Sequence, residues 1–205
     1  MTVAGKRSKG RAPWGSISRD QIVSTAVKAL REDGYDQMTI RSLAAELGVA
    51  PMSLYRHVRD KDDILDAVVE QLLAKVWRPR AARADWRSWI TEAADRLRQF
   101  LVAEPAARHV YLSHPVVSPS AMARMDAMIE VLRQALHDDL AVHRAYAAIQ
   151  TYTVGFAALE ASRSESNARL DGDLARQLAA YTTRDQFIIG FQYLLSGIEQ
   201  EVARS

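Results

Sequence analysis

The run Thr39-Ile40-Arg41-Ser42-Leu43-Ala44-Ala45-Glu46-Leu47-Gly48-Val49-Ala50-Pro51-Met52-Ser53-Leu54-Tyr55-Arg56-His57-Val58 reads as two short helices around a tight turn. Thr39 can cap the first of them, because a threonine hydroxyl accepts an orphan N–H of the first turn. Ile40, Leu43, Ala44 and Leu47 then recur at i, i+3, i+4 and i+7, one face of an α-helix. Gly48 stops that helix, and Pro51 suits the first position of the next, where the missing N–H costs nothing. Leu54 and Val58 anchor the second helix inward. Pro51, Met52, Ser53, Tyr55, Arg56 and His57 are left for its outer face.

Upstream, Ser18-Arg19-Asp20-Gln21 fits a capping box. Ile22, Val23, Ala26, Val27 and Leu30 continue it at helical spacing until Gly34. Residues 1–13 carry Lys6, Arg7, Lys9 and Arg11 without periodicity or the apolar stretch of a signal peptide, and read as a flexible basic tail. Downstream, Asp60 can cap a fourth helix, with Asp62 and Asp63 complementing its dipole and Ile64, Leu65, Val68, Leu72 and Val76 along its apolar face. No Gly/Ser/Pro-rich linker intervenes, so this helix is expected to connect the first unit rigidly to the rest. The first interruption is 78–84, with Pro79. Beyond it, helical spacing is expected over 86–103, 120–136, 140–162 and 185–202, separated by the proline-bearing 114–119 and the polar 162–173. No alternating strand pattern and no internal repeat occur. The expected class is all-α.

The chain has 205 residues, 48% apolar and 25% charged, a composition ordinary for a globular protein. No apolar run approaches about 18 residues, so no membrane span is expected. There is no cysteine, hence no disulfide and no thiolate metal site. The net charge of +2 hides an asymmetry. Residues 1–61 hold 11 Lys or Arg against 6 Asp or Glu, a balance of +5, whereas 62–205 hold 16 against 19, a balance of −3. A basic head on a mildly acidic body suits nucleic-acid binding. A helix pair of this spacing is a helix-turn-helix candidate, its second helix sized for the major groove and its outer face carrying hydroxyl, guanidinium, imidazole and aromatic groups suited to phosphates and base edges.

These residues, with Lys61 after them, closely resemble the DNA-binding segment of the tetracycline-repressor (TetR) family, over roughly residues 16–73. The resemblance implies a flexible tail at 1–15, a three-helix DNA-binding domain at 16–64, and a helical regulatory and dimerisation domain at 65–205 joined by the connecting helix. It places Thr39, Arg41, Pro51, Met52, Ser53, Tyr55, Arg56, His57 and Lys61 at the DNA. Arg41, Pro51, Met52, Ser53 and Arg56 would read or flank the major groove, while Tyr55, His57 and Lys61 would hold phosphates. It implies a homodimer on an inverted-repeat operator in double-stranded DNA, acting in the cytoplasm as a repressor released by a small apolar effector.

In the body, Ala145, Ile149, Tyr152, Phe156 and Leu159 form one stripe and Phe187, Phe191, Leu194, Ile198 and Val202 another, with Gly190 and Gly197 where a helix could approach closely. The resemblance implies that Tyr152, Phe156, Phe187, Gly190, Phe191, Leu194, Gly197 and Ile198 meet a second subunit. Trp77, Trp86, Trp89, Phe100, Tyr111, Met122, Met125 and Tyr152 are aromatic and soft side chains that by themselves suit ordinary core, and the resemblance implies that they line an apolar ligand site, with His109 and His114 as polar contacts. The positions that bind tetracycline in the family fall on Trp77, Ala93, Leu97 and Tyr111, which argues against a magnesium–tetracycline chelate. No Walker loop, Gly-x-Gly-x-x-Gly, Gly-x-Ser-x-Gly or His-Glu-x-x-His occurs, and His109/His114 and His137/His143 have the wrong spacing for a helical metal pair. No enzyme, cofactor or metal is expected. A helical protein–protein adaptor is the alternative.

Overall fold

A computed structural model describes residues 17–76, 85–113, 117–167 and 172–202. The expected flexible tail, Trp77 and His114 lie outside the described residues. Ten helical segments and no strand occur among those described: α1 (Arg19–Glu32), α2 (Ile40–Glu46), α3 (Pro51–Leu54), α4 (Lys61–Val76), α5 (Trp86–Ala103), α6 (Pro105–Ser113), α7 (Pro119–Ala135), α8 (Asp139–Asn167), α9 (Asp173–Ala180) and α10 (Arg184–Val202). No helix among them is long and apolar enough to cross a membrane.

The head forms as its local signals dictate. The Ser18 side chain accepts from the Gln21 amide while the Gln21 side chain accepts from the Ser18 amide, closing both ends of a capping box. Thr39 and Ser42 do the same for α2. Gly34 and Gly48 adopt φ values of 84° and 67°, the left-handed region where a side chain would be strained. α1 buries Ile22, Val23, Ala26, Val27, Ala29 and Leu30 against α2 and α4.

α4 is buried on more than one side. Ile64, Leu65, Val68, Val69, Leu72 and Leu73 all lose their solvent contact, because the helix packs on α1 at its start and on α6 and α7 farther along. An ordinary surface helix buries one stripe; a helix covered on two sides moves only with what it touches. In the body α5 runs against α8 and α10, burying Trp89, Ile90, Ala93, Ala94, Leu97, Phe100 and Leu101, and α7 packs on α8 and α5.

Candidate functional site

The recognition element is pinned from below. Leu54 is fully buried and Val58 nearly so, and each such side chain contributes about 1.5–3 kcal/mol of burial. α3 itself is shorter than the spacing suggests. The His57 and Val58 amides both donate to the Leu54 carbonyl, at 2.8 and 3.0 Å, so the chain tightens out of α geometry after one turn. The turn before it is fixed by Gly48 and Val49, whose amides donate to the Ala45 and Ala44 carbonyls at 3.1 and 3.0 Å. Above this base Arg41, Pro51, Met52, Tyr55 and Arg56 are exposed, and Ser53 and His57 are half-buried. Met52 is 73% exposed, a large apolar side chain held in water at the tip of the element.

Two ties unannounced by periodicity hold this surface in place. The Arg19 guanidinium donates to the His57 carbonyl at 2.8 Å and pairs with the Asp63 carboxylate at 2.6 Å. One side chain of α1 thus joins the end of the recognition turn to the first turn of α4. Asp63 also accepts from the Arg59 amide at 2.9 Å, and the Arg19 hydrogen bond, helped by that amide, holds its pKa at about 2. A carboxylate depressed below its unfolded value near 4 adds stability above that value, lost as pH falls toward about 2. Asp63→Asn should therefore cost on the order of 1–2 kcal/mol at neutral pH, given that Arg19 is partly solvated. The gap from wild type in urea midpoint should close between about pH 4 and pH 2. A gap that stays constant across that range contradicts the assignment.

The second tie bears on Lys61 and His109. The Lys61 ammonium lies 4.0 Å from the centroid of the Tyr35 ring and donates to the Tyr35 carbonyl at 3.3 Å. The His109 ring stacks on the same tyrosine, centroids 4.2 Å apart. Lys61 therefore uses part of its donor capacity inside the head. His109 faces the head, as a joint between α6 and the loop after α1, rather than a ligand site in the body. Arg31 and Glu104, paired at 2.6 Å, make a second joint beside it.

Of the remaining expected ligand residues that are described, Trp89 and Phe100 lie in the core on α5, and Trp86, Tyr111, Met125 and Tyr152 pack against it. Trp86 is half-buried at the start of α5, and Met122 is 39% exposed on α7. Met125 is half-buried one residue after the inward-facing Arg124. Tyr152 belongs to an aromatic cluster with Phe156, Phe187 and Phe191, and its hydroxyl donates to the Phe187 carbonyl at 3.1 Å. Tyr111 lies against a buried arginine, Arg124. An open groove of about 450 Å³ lies instead between α5 and α10, lined by polar residues including Thr91, Asp95, Gln99 and Gln192.

The expected dimer residues divide likewise. Phe187 and Phe191 are fully buried within the protomer and cannot face a partner, because α8 and α5 already cover them. Gly190 serves the protomer as well: a Cβ there would collide with the Tyr152 hydroxyl. Tyr152, Phe156, Leu194 and Ile198 are half-buried, and Gly197 is exposed with open space where its Cβ would stand. The face left in water includes Leu159, Ile189 and Tyr193, 53, 45 and 75% exposed. Sequence reasoning missed Ile189 and Tyr193, although they lie four apart on α10 and eight and four before Gly197, a spacing that helical periodicity can reveal.

A family model for bacterial regulatory proteins of the tetR family matches residues 22–68, and one for the tetracyclin repressor-like C-terminal domain matches residues 78–182. An HTH-type transcriptional regulator of Saccharopolyspora erythraea is 33% identical over 165 residues, covering 80% of this chain and 70% of that protein. Tetracycline repressor protein class A from transposon 1721 of Escherichia coli is 33% identical over 163 residues, covering 78% and 74%. Among solved structures, BioQ with its double-stranded DNA operator superposes with a TM-score of 0.71 at 26% identity, covering 90% of this chain and 99% of that one.

Proposed function

The chain belongs to the TetR family of bacterial transcriptional regulators, DNA-binding and non-enzymatic, and from this we propose that it is a cytoplasmic, homodimeric repressor released from an inverted-repeat operator by a small molecule with an apolar body. The observation that carries the DNA half is the recognition surface. Arg41, Met52, Tyr55 and Arg56 stand in water on a base fixed by Leu54, Val58 and the Arg19 clamp. A rigid support removes the cost of ordering the backbone before these side chains meet phosphates and base edges.

The release half follows from α4. Its first turn is clamped to the head through Asp63. Farther along, Glu70 accepts from the Ser120 amide at 2.7 Å and the Ser120 hydroxyl at 2.6 Å. Glu70 thereby caps the start of α7, and those hydrogen bonds outweigh the effect of burial and lower its pKa. A ligand that shifts α7 would pull α4, and α4 would change the separation of the two recognition elements in the dimer. Weakening DNA binding 100-fold needs about 2.7 kcal/mol of coupling, and DNA must weaken the ligand by the same factor.

Arg41 and Tyr55 provide the test because both are exposed and neither holds the fold; Lys61 is a poorer choice, since removing it also strips Tyr35. Tyr55→Ala should weaken binding to every DNA sequence alike. Arg41→Ala should cost roughly 1–3 kcal/mol and relax preference at one operator position if the guanidinium grips a base in two places. Both variants binding like wild type across a salt titration would remove α2 and α3 from the DNA.

A further inference from the structure

Arg124 on α7 is 3% exposed. Its guanidinium meets neutral groups: Gln150 Oε1 at 3.3 Å from both Nη1 and Nη2, the Met128 sulfur at 3.6 Å, and the Tyr111 hydroxyl beside it. The Nε–H and the buried Tyr111 hydroxyl, though neighbours, form no well-aligned hydrogen bond with each other or with any other described group. No carboxylate among the described residues pairs with it.

The other buried arginine shows what this chain does with a cation that belongs to its own fold. Arg98, 4% exposed, is paired with Asp95 at 2.7 Å and Glu160 at 2.5 Å. A buried charge without a counter-charge is strongly disfavoured, and it persists where something outside the apo protein supplies the compensation. Two donors stand open here on adjacent side chains, one of them cationic. A carboxylate offers two acceptor oxygens and one negative charge, and matches an arginine's side-on pair of N–H groups. Burial pushes the Tyr111 hydroxyl upward in pKa while the Arg124 charge opposes it, so the phenol stays protonated as a donor at neutral pH. Gln150 and Tyr146, on α8, are only half-buried, so the pair of donors lies close to solvent rather than deep in the core.

We infer that Arg124 and Tyr111 form the anchoring end of an effector site that selects an organic acid, a carboxylate carried on an apolar body. This rests on the ligand-released repressor proposed above and adds the chemical class of the ligand. It narrows the small apolar effector expected from the sequence to one that carries a carboxylate. The anchor sits on α7 about one helical turn past Ser120, the residue through which Glu70 ties that helix to α4.

The test uses the full-length protein, without and with matched aromatic pairs such as naphthalene-2-carboxylate and naphthalene-2-carboxamide, followed by calorimetry. Acids should bind wild type at least tenfold more tightly than their amides, Arg124→Met should abolish that preference, and Tyr111→Phe should reduce acid affinity severalfold. Without any ligand, Arg124→Met should melt about 2–4 °C higher than wild type, because it removes an uncompensated buried charge. Amides that bind as well as acids, a preference that survives Arg124→Met, or an acid panel that leaves wild type unbound would each overturn the proposal. So would a lower melting temperature for the ligand-free variant, which would mark Arg124 as a tie between α7 and α8. Neutral compounds that bind and release DNA would overturn the acid alone and leave the ligand-released repressor standing.

Discussion

Tyr193→Asp should yield a folded but monomeric protein whose operator affinity falls at least a hundredfold. Tyr193 is the most exposed aromatic on α10, and Ile189 and Leu159 stand in water beside it on α10 and α8. Gly155 and Gly197 share this face, and a Cβ at either would meet nothing in the protomer. Internal packing therefore does not demand glycine there, whereas a flat surface offered to another copy would. Large apolar side chains in such a patch are the usual mark of an interface. An aspartate pressed into its centre would lose its hydration without gaining a partner. The protomer should remain cooperatively folded, since Tyr193 contributes little to its own core, with a melting temperature lowered only by the loss of its partner. The operator loss follows because a single head contacts one half-site. Light scattering at micromolar concentration reads the mass, and a variant that remains a dimer would place the interface elsewhere.

The largest loss of stability should come from Arg98→Met. Arg98 joins α5 to α8 through Glu160, while Asp95 beside it also binds Arg184 at 2.8 Å at the start of α10. Burial pushes the Asp95 pKa up, but hydrogen bonds from Arg184 and Arg98 outweigh it and the net shift is downward, so the carboxylate is charged at neutral pH. Arg98 also lies over the Phe187 ring at 5.3 Å. Methionine fills the space but leaves two carboxylates facing one another without their shared cation. Removing one partner of a buried pair costs about 3–5 kcal/mol, which for a chain of this length lowers the melting temperature by roughly 10 °C. Adding Asp95→Asn and Glu160→Gln to the same chain should recover a large part of the loss. An Arg98→Met protein that melts within about 2 °C of wild type would show that this network is solvated and dispensable.

The head was legible because its signals are local. Ser18 with Gln21, Thr39 before Ile40, Gly34 and Gly48 act within a few residues, and all four do in the structure what their chemistry demands. The Arg19 clamp was not legible, since it joins residues 38 and 44 apart and nothing in the spacing marks Arg19 as different from any exposed arginine. In the body, the long helices appear nearly where periodicity put them. α8 runs on to Asn167 through a polar stretch expected to be a loop, and α6 and α9 went unread as separate helices. A polar sequence can stay helical when one side of it rests on a neighbour, and α8 does so against α9.

The functional surfaces of the body divided along the same line. Periodicity says which residues share a face, but not whether the chain itself or a partner covers it. Phe187 and Phe191 therefore read as interface although both are core, while the exposed Tyr193 went unread. Aromatic and methionine content pointed toward a ligand site, yet the unusual group there is a charged residue whose lack of a counter-charge only the tertiary structure reveals.

The most direct measurement is selection of bound fragments from the source genome by the purified protein, followed by footprinting of the enriched DNA with the mass of the complex determined. The expected result is one enriched inverted repeat, its half-sites about one helical turn or roughly 34–36 Å apart, occupied by two copies of the chain in symmetrical contact. Enrichment of no sequence above background, or a single unrepeated site filled by one chain, would contradict it.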